Sequence, residues 1–186
     1  MPPEIPTPWA GFLRELDTAI GNPTQLNCLG GFVVAMAYGM PRPTADIDIL
    51  SVAPATTQRD LMVLGGKGSL LHRKHRVYLD SVVLKVYPAD YEARLTEMFP
   101  GTLEKLRLMA LDPYDLSLTK LDRNLPRDRE DFRFLAESVP LETARLRARF
   151  DEEMVGYVWD KAGEELRLTL DLWIADVEER RGLRSE

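Results

Sequence analysis

Residues 26–50 read LNCLGGFVVAMAYGMPRPTADIDIL, and the order of residue types in this stretch decides the fold. Leu26 to Leu29 is a short apolar run of strand length that leads into Gly30-Gly31. Lacking a Cβ, glycine lets the backbone take positive φ and approach a neighbour closely. Phe32 to Tyr38 is apolar and rich in Val and Ala, which predicts a short buried helix broken by Gly39, Pro41 and Pro43. A helix that starts beside Gly30-Gly31 aims its free N–H groups at the turn, and that suits a phosphate. Asp46 to Val52, DIDILSV, predicts a second strand. Side chains two apart in a strand share a face, so Asp46 and Asp48 project together while Ile47 and Ile49 enter the core. Two neighbouring carboxylates repel, and a divalent cation is the simplest remedy. Mg2+ takes oxygen ligands, typically one or two carboxylates plus substrate phosphates.

A third carboxylate follows. Arg76 to Val86 predicts a strand in which Asp80 is the one acidic residue of an apolar run, VYLDSVVL. Beside the Asp46 strand, Asp80 would complete a three-carboxylate cluster able to hold one or two metals. Each feature alone has a plain reading: an ordinary glycine turn, a solvated strand face, a water-facing edge position. Just upstream, Lys67 to Arg76 (KGSLLHRKHR) gathers cations and both histidines. It reads as a solvated loop or hairpin, or as a phosphate cradle in which Lys67, Ser69 and backbone N–H groups take part, or as a grip on an RNA backbone. His72 and His75 lack a cysteine or third histidine beside them, which argues against zinc.

Around this segment, Trp9 to Ile20 has a helical stripe ended by Gly21-Asn22-Pro23. Helices are also expected over Thr56–Leu64 and Ala89–Phe99, the latter from Tyr91, Leu95 and Phe99. A fourth strand is expected over 103–111, and Pro113 opens a further helix. From about Asp128 the chain reads as helix: 128–138, 141–154 and 164–181. The expectation is an α/β (α+β) fold, a small mixed sheet flanked by helices, with a core over 1–127 and a helical portion over 128–186 packed on it. Tyr157, Trp159 and Trp173 in that portion read as core packing.

The 186 residues carry a net charge of −6, which argues against binding nucleic acid through overall charge. Apolar residues at 45% and charged residues at 29% are ordinary for a soluble globular protein. No apolar run nears the roughly 18–20 residues needed to span a bilayer. The start, MPPEIPTPW, does not read as a secretory signal. The single cysteine, Cys28, lies in an apolar run and reads as a buried structural thiol. The cytoplasm is the expected compartment.

In this order, Gly30-Gly31, Asp46-x-Asp48 and the later Asp80 resemble the signature of the DNA polymerase β-like nucleotidyltransferase superfamily. Arg42 and Thr44 complete an Arg-x-Thr-x-Asp-x-Asp form, which resembles bacterial families near the AbiEii-like and MenT-like toxins. The helix that carries Lys120, followed by Arg127-Asp128-Arg129-Glu130-Asp131, is similar to the lysine helix and Arg-Asp-x-x-Asp segment of AbiEii-like families. The resemblance covers roughly residues 25–135. It implies the nucleotidyltransferase fold and a Mg2+- (or Mn2+-) dependent transfer of a nucleoside monophosphate from an NTP to a hydroxyl of tRNA or protein. The setting it implies is a toxin–antitoxin or phage-defence system, with a cognate antitoxin or toxin as partner.

Under this reading Asp46, Asp48 and Asp80 hold the metals, and Asp80 also helps activate the acceptor. Gly30 and Gly31 cradle phosphates, Arg42 and Lys120 face the triphosphate, and Thr44 and Asp128 line the site. The rival expectation is a non-catalytic nucleotide- or partner-binding module of the same fold. Geometry separates the two, because the enzyme requires the three carboxylates to converge within metal-sharing distance.

Overall fold

The computed structural model describes residues 4–154 and 161–183. The chain forms two compact units, one of residues 1–83 and 95–111, the other of 84–94 and 112–186.

The first unit opens with α1 (Trp9–Ala19), which buries Trp9, Phe12, Leu13 and Leu16 on one stripe. Burial of such side chains supplies about 1.5–3 kcal/mol each. The Trp9 ring meets Phe32 edge-on at 4.8 Å. Asp17 is also buried on α1 and accepts hydrogen bonds from the backbone N–H groups of Glu104, Lys105 and Leu106 at 2.7–2.9 Å. Burial pushes its carboxyl up, but the three N–H donors outweigh that and hold it below the usual range.

Strand β1 (Thr24–Leu29) runs into α2 (Gly30–Met36), and β2 (Asp46–Ala53) follows. A short 3₁₀ turn precedes α3 (Gln58–Gly65), α4 (Leu70–His75) comes next, and then β3 (Tyr78–Ser81). After residues 84–94 the chain adds β4 (Thr96–Met98) and β5 (Leu106–Ala110). The strands form one mixed sheet in the order β3-β2-β1-β5-β4. Strands β2 and β3 run parallel, as do β1 and β5, while β1–β2 and β4–β5 are antiparallel. Leu26, Cys28, Ile47, Ile49 and Leu79 are fully buried beneath it. These are the alternate residues that the period of a strand directs inward.

The second unit is helical: α5 (Pro113–Leu118), α6 (Pro126–Ser138), α7 (Thr143–Arg149), a π-turn over Phe150–Met154, and α8 (Lys161–Leu183). Pro113 and Pro126 sit in first turns, where a missing N–H costs nothing. Phe132, Leu135, Leu146, Phe150, Leu170 and Ile174 make its core. Trp173 packs on Phe132 at 5.3 Å and donates its indole N–H to Asn124. The expected packing role thus holds for Trp173, while Tyr157 and Trp159 lie outside the described residues. A buried ion-pair knot ties this unit. Arg94 grips both oxygens of Asp115 and both of Glu153, and Arg149 reaches Asp112 and Asp115.

Three local expectations are corrected. Residues 89–99 form no helix. Tyr91–Arg94 is a 3₁₀ turn and Thr96–Met98 is a strand paired to β5. Tyr91 belongs to the second unit and Met98 to the first, so apolar residues at helical spacing serve two different cores. The strand expected over 76–86 shrinks to 78–81: it starts late because Arg76 takes a left-handed φ of 63° to end α4, and from Leu84 the chain belongs to the other unit. The basic stretch contains a helical turn, α4, rather than a loop or hairpin, capped by the Ser69 hydroxyl accepting from the His72 N–H. Among the described residues no helix is long and apolar enough to cross a membrane.

Candidate active site

Parallel pairing of β2 with β3 sets Asp46 opposite Tyr78 and Asp48 opposite Asp80. All four residues are two apart along their strands, so they share one face. The result is a carboxylate cluster: one oxygen each of Asp46, Asp48 and Asp80 lie within 4.8 Å of one another. Among the described residues this is the one such group of three or more potential ligands. Asp46 and Asp48 are half-buried and Asp80 is exposed. At this spacing and exposure each pair repels by about 1 kcal/mol in water-like surroundings. The donor set is all carboxylate oxygen, the chemistry that hard divalent cations prefer.

The glycine turn lies against this cluster. An irregularity in β1–β2 pairing between Asn27 and Cys28 brings Leu29 opposite Asp48. Gly30 then takes φ +75° with its Cα hard against the Asp48 side chain; a Cβ there would lie 1.9 Å from Asp48 Oδ2. Glycine is required at this position both for its φ and for the approach. At Gly31 a Cβ would lie 3.5 Å from Arg42 Nη2 and 3.9 Å from Thr44 Oγ1. Arg42 and Thr44 therefore stand beside the turn, as the sequence form implied. Thr44 Oγ1 lies 3.2 Å from Asp46 Oδ1 and 3.1 Å from the Asp46 carbonyl. One hydroxyl proton serves these two acceptors.

Sequence reasoning did not single out Tyr78. Its hydroxyl donates to Asp46 Oδ2 at 3.5 Å. Burial, then the charges of Asp46, Asp80 and Asp48, push the phenol above its ordinary pKa. The available signal was its position two residues before Asp80, on the same strand face. The ring meets His72 at 4.9 Å, and the Lys67 ammonium stands 5.5 Å from its centre. Lys67 thus lies near the cluster, and the Ser69 hydroxyl oxygen accepts the His72 N–H at the start of α4. Beneath the site Cys28 is fully buried, its thiol pushed up by burial and by Asp48, which fits a structural role.

Lys120 and Asp128 belong to the second unit. The Lys120 ammonium is buried, 2.8 Å from Asp131 Oδ2 and 3.7 Å from Asp128 Oδ1. Asp128 also binds the Arg123 guanidinium and the Leu125 N–H. Burial pushes its carboxyl up, but these partners prevail and hold it below the usual range.

A five-stranded mixed sheet flanked by helices is consistent with a nucleotidyltransferase fold. The chain belongs to the family described as nucleotidyltransferase of unknown function (DUF6036), which matches residues 13–171. No curated protein and no solved structure matches it.

Proposed function

We propose that the chain transfers a nucleoside monophosphate from an NTP to a hydroxyl acceptor with the help of Mg2+ (or Mn2+). The observation that carries this reading is the convergence of Asp46, Asp48 and Asp80 beside Gly30. Three like charges that crowd one another, with only oxygen donors, fit a divalent cation well. Transfer requires this convergence, which supports it over a non-catalytic binding module of the same fold. Bound there, the cation would neutralise the triphosphate and sharpen the nucleophilicity of the acceptor hydroxyl.

The protein's own groups supply position and charge, which dominate phosphoryl-type transfers. The backbone at Gly30 and Gly31 approaches the β- and γ-phosphates without side-chain obstruction. Arg42 and Thr44 flank Gly31; Arg42 offers its guanidinium to the same phosphates, and Thr44 lines the site with its hydroxyl proton directed at Asp46. Lys67 adds a cation at the rim. Asp80, the exposed member, faces the acceptor and takes its proton as oxygen attacks the α-phosphorus and pyrophosphate departs. Lys120 and Asp128 remain in the set on resemblance. Resemblance to the AbiEii-like and MenT-like groups likewise points to tRNA or a protein as acceptor, a toxin–antitoxin or phage-defence setting, and a bacterial cytoplasm.

The test is direct. The protein is incubated with each α-labelled NTP, Mg2+ and total RNA or cell lysate, beside Asp48→Asn. Label entering a defined RNA or protein band only with the wild type supports transfer. No label with any NTP, or equal label with Asp48→Asn, defeats the proposal.

A further inference from the structure

We infer that Tyr78 is a positioning residue: its hydroxyl fixes the Asp46 carboxylate for a divalent cation, and residues 67–72 in turn fix Tyr78. This inference rests on the cation site proposed above. A carboxylate bound to a cation through one oxygen can rotate about its last torsion, and such terminal torsions are soft. Asp46 is restrained at both oxygens, Oδ1 by the Thr44 hydroxyl at 3.2 Å and Oδ2 by the Tyr78 hydroxyl at 3.5 Å. Neither donor is charged. They orient the group without neutralising it, so its full charge stays available to a cation. Hydrogen-bond donors behind metal ligands orient ligands elsewhere in the same way.

Support for Tyr78 is itself layered. His72 meets its ring edge-on at 4.9 Å. The His72 ring is held from behind, with Nδ1 accepting the Gly68 N–H at 2.9 Å. Gly68 makes this turn at φ +87°, and Ser69 Oγ accepts the His72 N–H at 3.1 Å. The Lys67 ammonium stands over the Tyr78 ring. A line of contacts therefore runs from the Gly68 backbone through His72 and Tyr78 to Asp46. This gives the basic stretch a purpose its charge alone does not supply. It braces the back of the carboxylate cluster and sets Lys67 at the rim.

The experiment titrates Mn2+ into the full chain, read by electron paramagnetic resonance, for wild type, Tyr78→Phe, His72→Leu and Asp48→Asn. Tyr78→Phe keeps the ring and its contact with His72 and removes only the hydroxyl. Its Mn2+ affinity is expected to fall about 3–10-fold, at or below the lower limit of the roughly 10–100-fold typical for loss of such a donor, because the contact is long at 3.5 Å, with the melting temperature unchanged. The metal concentration for half-maximal transfer rises by the same factor, and kcat at saturating metal stays within about twofold of wild type. His72→Leu, the second variant, shifts affinity in the same direction by less. Unchanged Mn2+ affinity in Tyr78→Phe overturns the inference while leaving the site intact, provided Asp48→Asn abolishes binding. So does a kcat loss that saturating metal does not restore. If the wild type binds no Mn2+, or Asp48→Asn binds it as well as wild type, the cation site itself falls and takes this inference with it.

Discussion

Replacing Gly30 with alanine tests the site more sharply than removing any carboxylate, because the substitution adds one methyl group and no charge. The Cβ would stand 1.9 Å from Asp48 Oδ2 and 2.9 Å from its Cγ. To reach even 3.0 Å, about the closest that real Cβ contacts come, the oxygen must retreat by about 1.1 Å. Asp48 is half-buried and short, so it yields by rotating, at a cost of about 0.5–1.5 kcal/mol for an off-rotamer side chain. The left-handed φ of +75° adds about 1–2 kcal/mol for a residue with a Cβ. A total of about 1.5–3.5 kcal/mol should leave the protein folded with a lowered melting temperature. Function should suffer far more. A misplacement of about 1 Å in a reacting constellation costs on the order of 100-fold in rate, and here the displaced group is a proposed metal ligand.

The assay pairs thermal melting monitored by circular dichroism with NMP transfer under saturating Mg2+. A folded Gly30→Ala protein whose turnover lies within threefold of wild type would refute the claim that Asp48 must sit against this backbone. Gly31→Ala is the control. Its Cβ meets Arg42 Nη2 at an ordinary 3.5 Å, so stability should hold, and any loss should appear in KM for the NTP rather than in the melting temperature.

Other consequences follow from the same geometry. Asp48→Asn or Asp80→Asn should abolish transfer while melting at or slightly above the wild-type temperature at low salt, since each removes a repelling charge; a clear drop in melting temperature would contradict the crowding. Asp17→Asn should cost about 2–3 kcal/mol in urea unfolding at pH 7, because three backbone N–H groups lose a charged acceptor. The Asp17 carboxyl is held below its ordinary 3.8 in the fold, so its contribution is complete above that value and disappears as pH falls through the lower folded value. The variant should therefore show a flatter acid limb of stability below about pH 4. A limb identical to wild type would rule this out. In the helical unit, Arg149→Met strands the buried carboxylate of Asp115 with Arg94 as its remaining cation, and should cost about 3–5 kcal/mol, partly recovered by adding Asp115→Asn. Additive losses in the double variant would count against the knot.

The site was legible in the sequence wherever it depends on short-range periodicity. Asp46 and Asp48 share a face because a strand repeats every two residues, and the glycine turn leads into a helix as expected, though α2 already begins at Gly30 rather than Phe32. Even the pairing of Asp80 with Asp48 was within reach, since only one acidic residue of its strand was available. What escaped depends on partners far apart in the chain. Tyr78 looked like one more apolar strand residue until the register set it opposite Asp46. Asp17 drew no attention in the sequence, because its three donors come from residues 104–106. The spacing of Tyr91, Leu95 and Phe99 imitated a helix because sequence periodicity does not reveal that neighbouring residues pack into separate cores. Lys120, assigned to the phosphates by resemblance alone, has ion-pair partners in Asp131 and Asp128 that periodicity does not reveal.

The detour of residues 84–94 out of the sheet-bearing unit bears on how the chain comes off the ribosome. Strands β1, β2 and β3 can zip together once residue 81 emerges, but the far side of β1 has no neighbour until β5 arrives at residues 106–110. For about 25 residues of synthesis an apolar strand edge stands open, the kind of edge that recruits stray strands. Nor can a single cut release the unit as one continuous piece. Ending the chain at residue 111 would keep every strand yet orphan Arg94 from both Asp115 and Glu153. Nascent chains that have emerged only as far as residues 82 to 105 are accordingly where chaperone dependence and misassembly should concentrate.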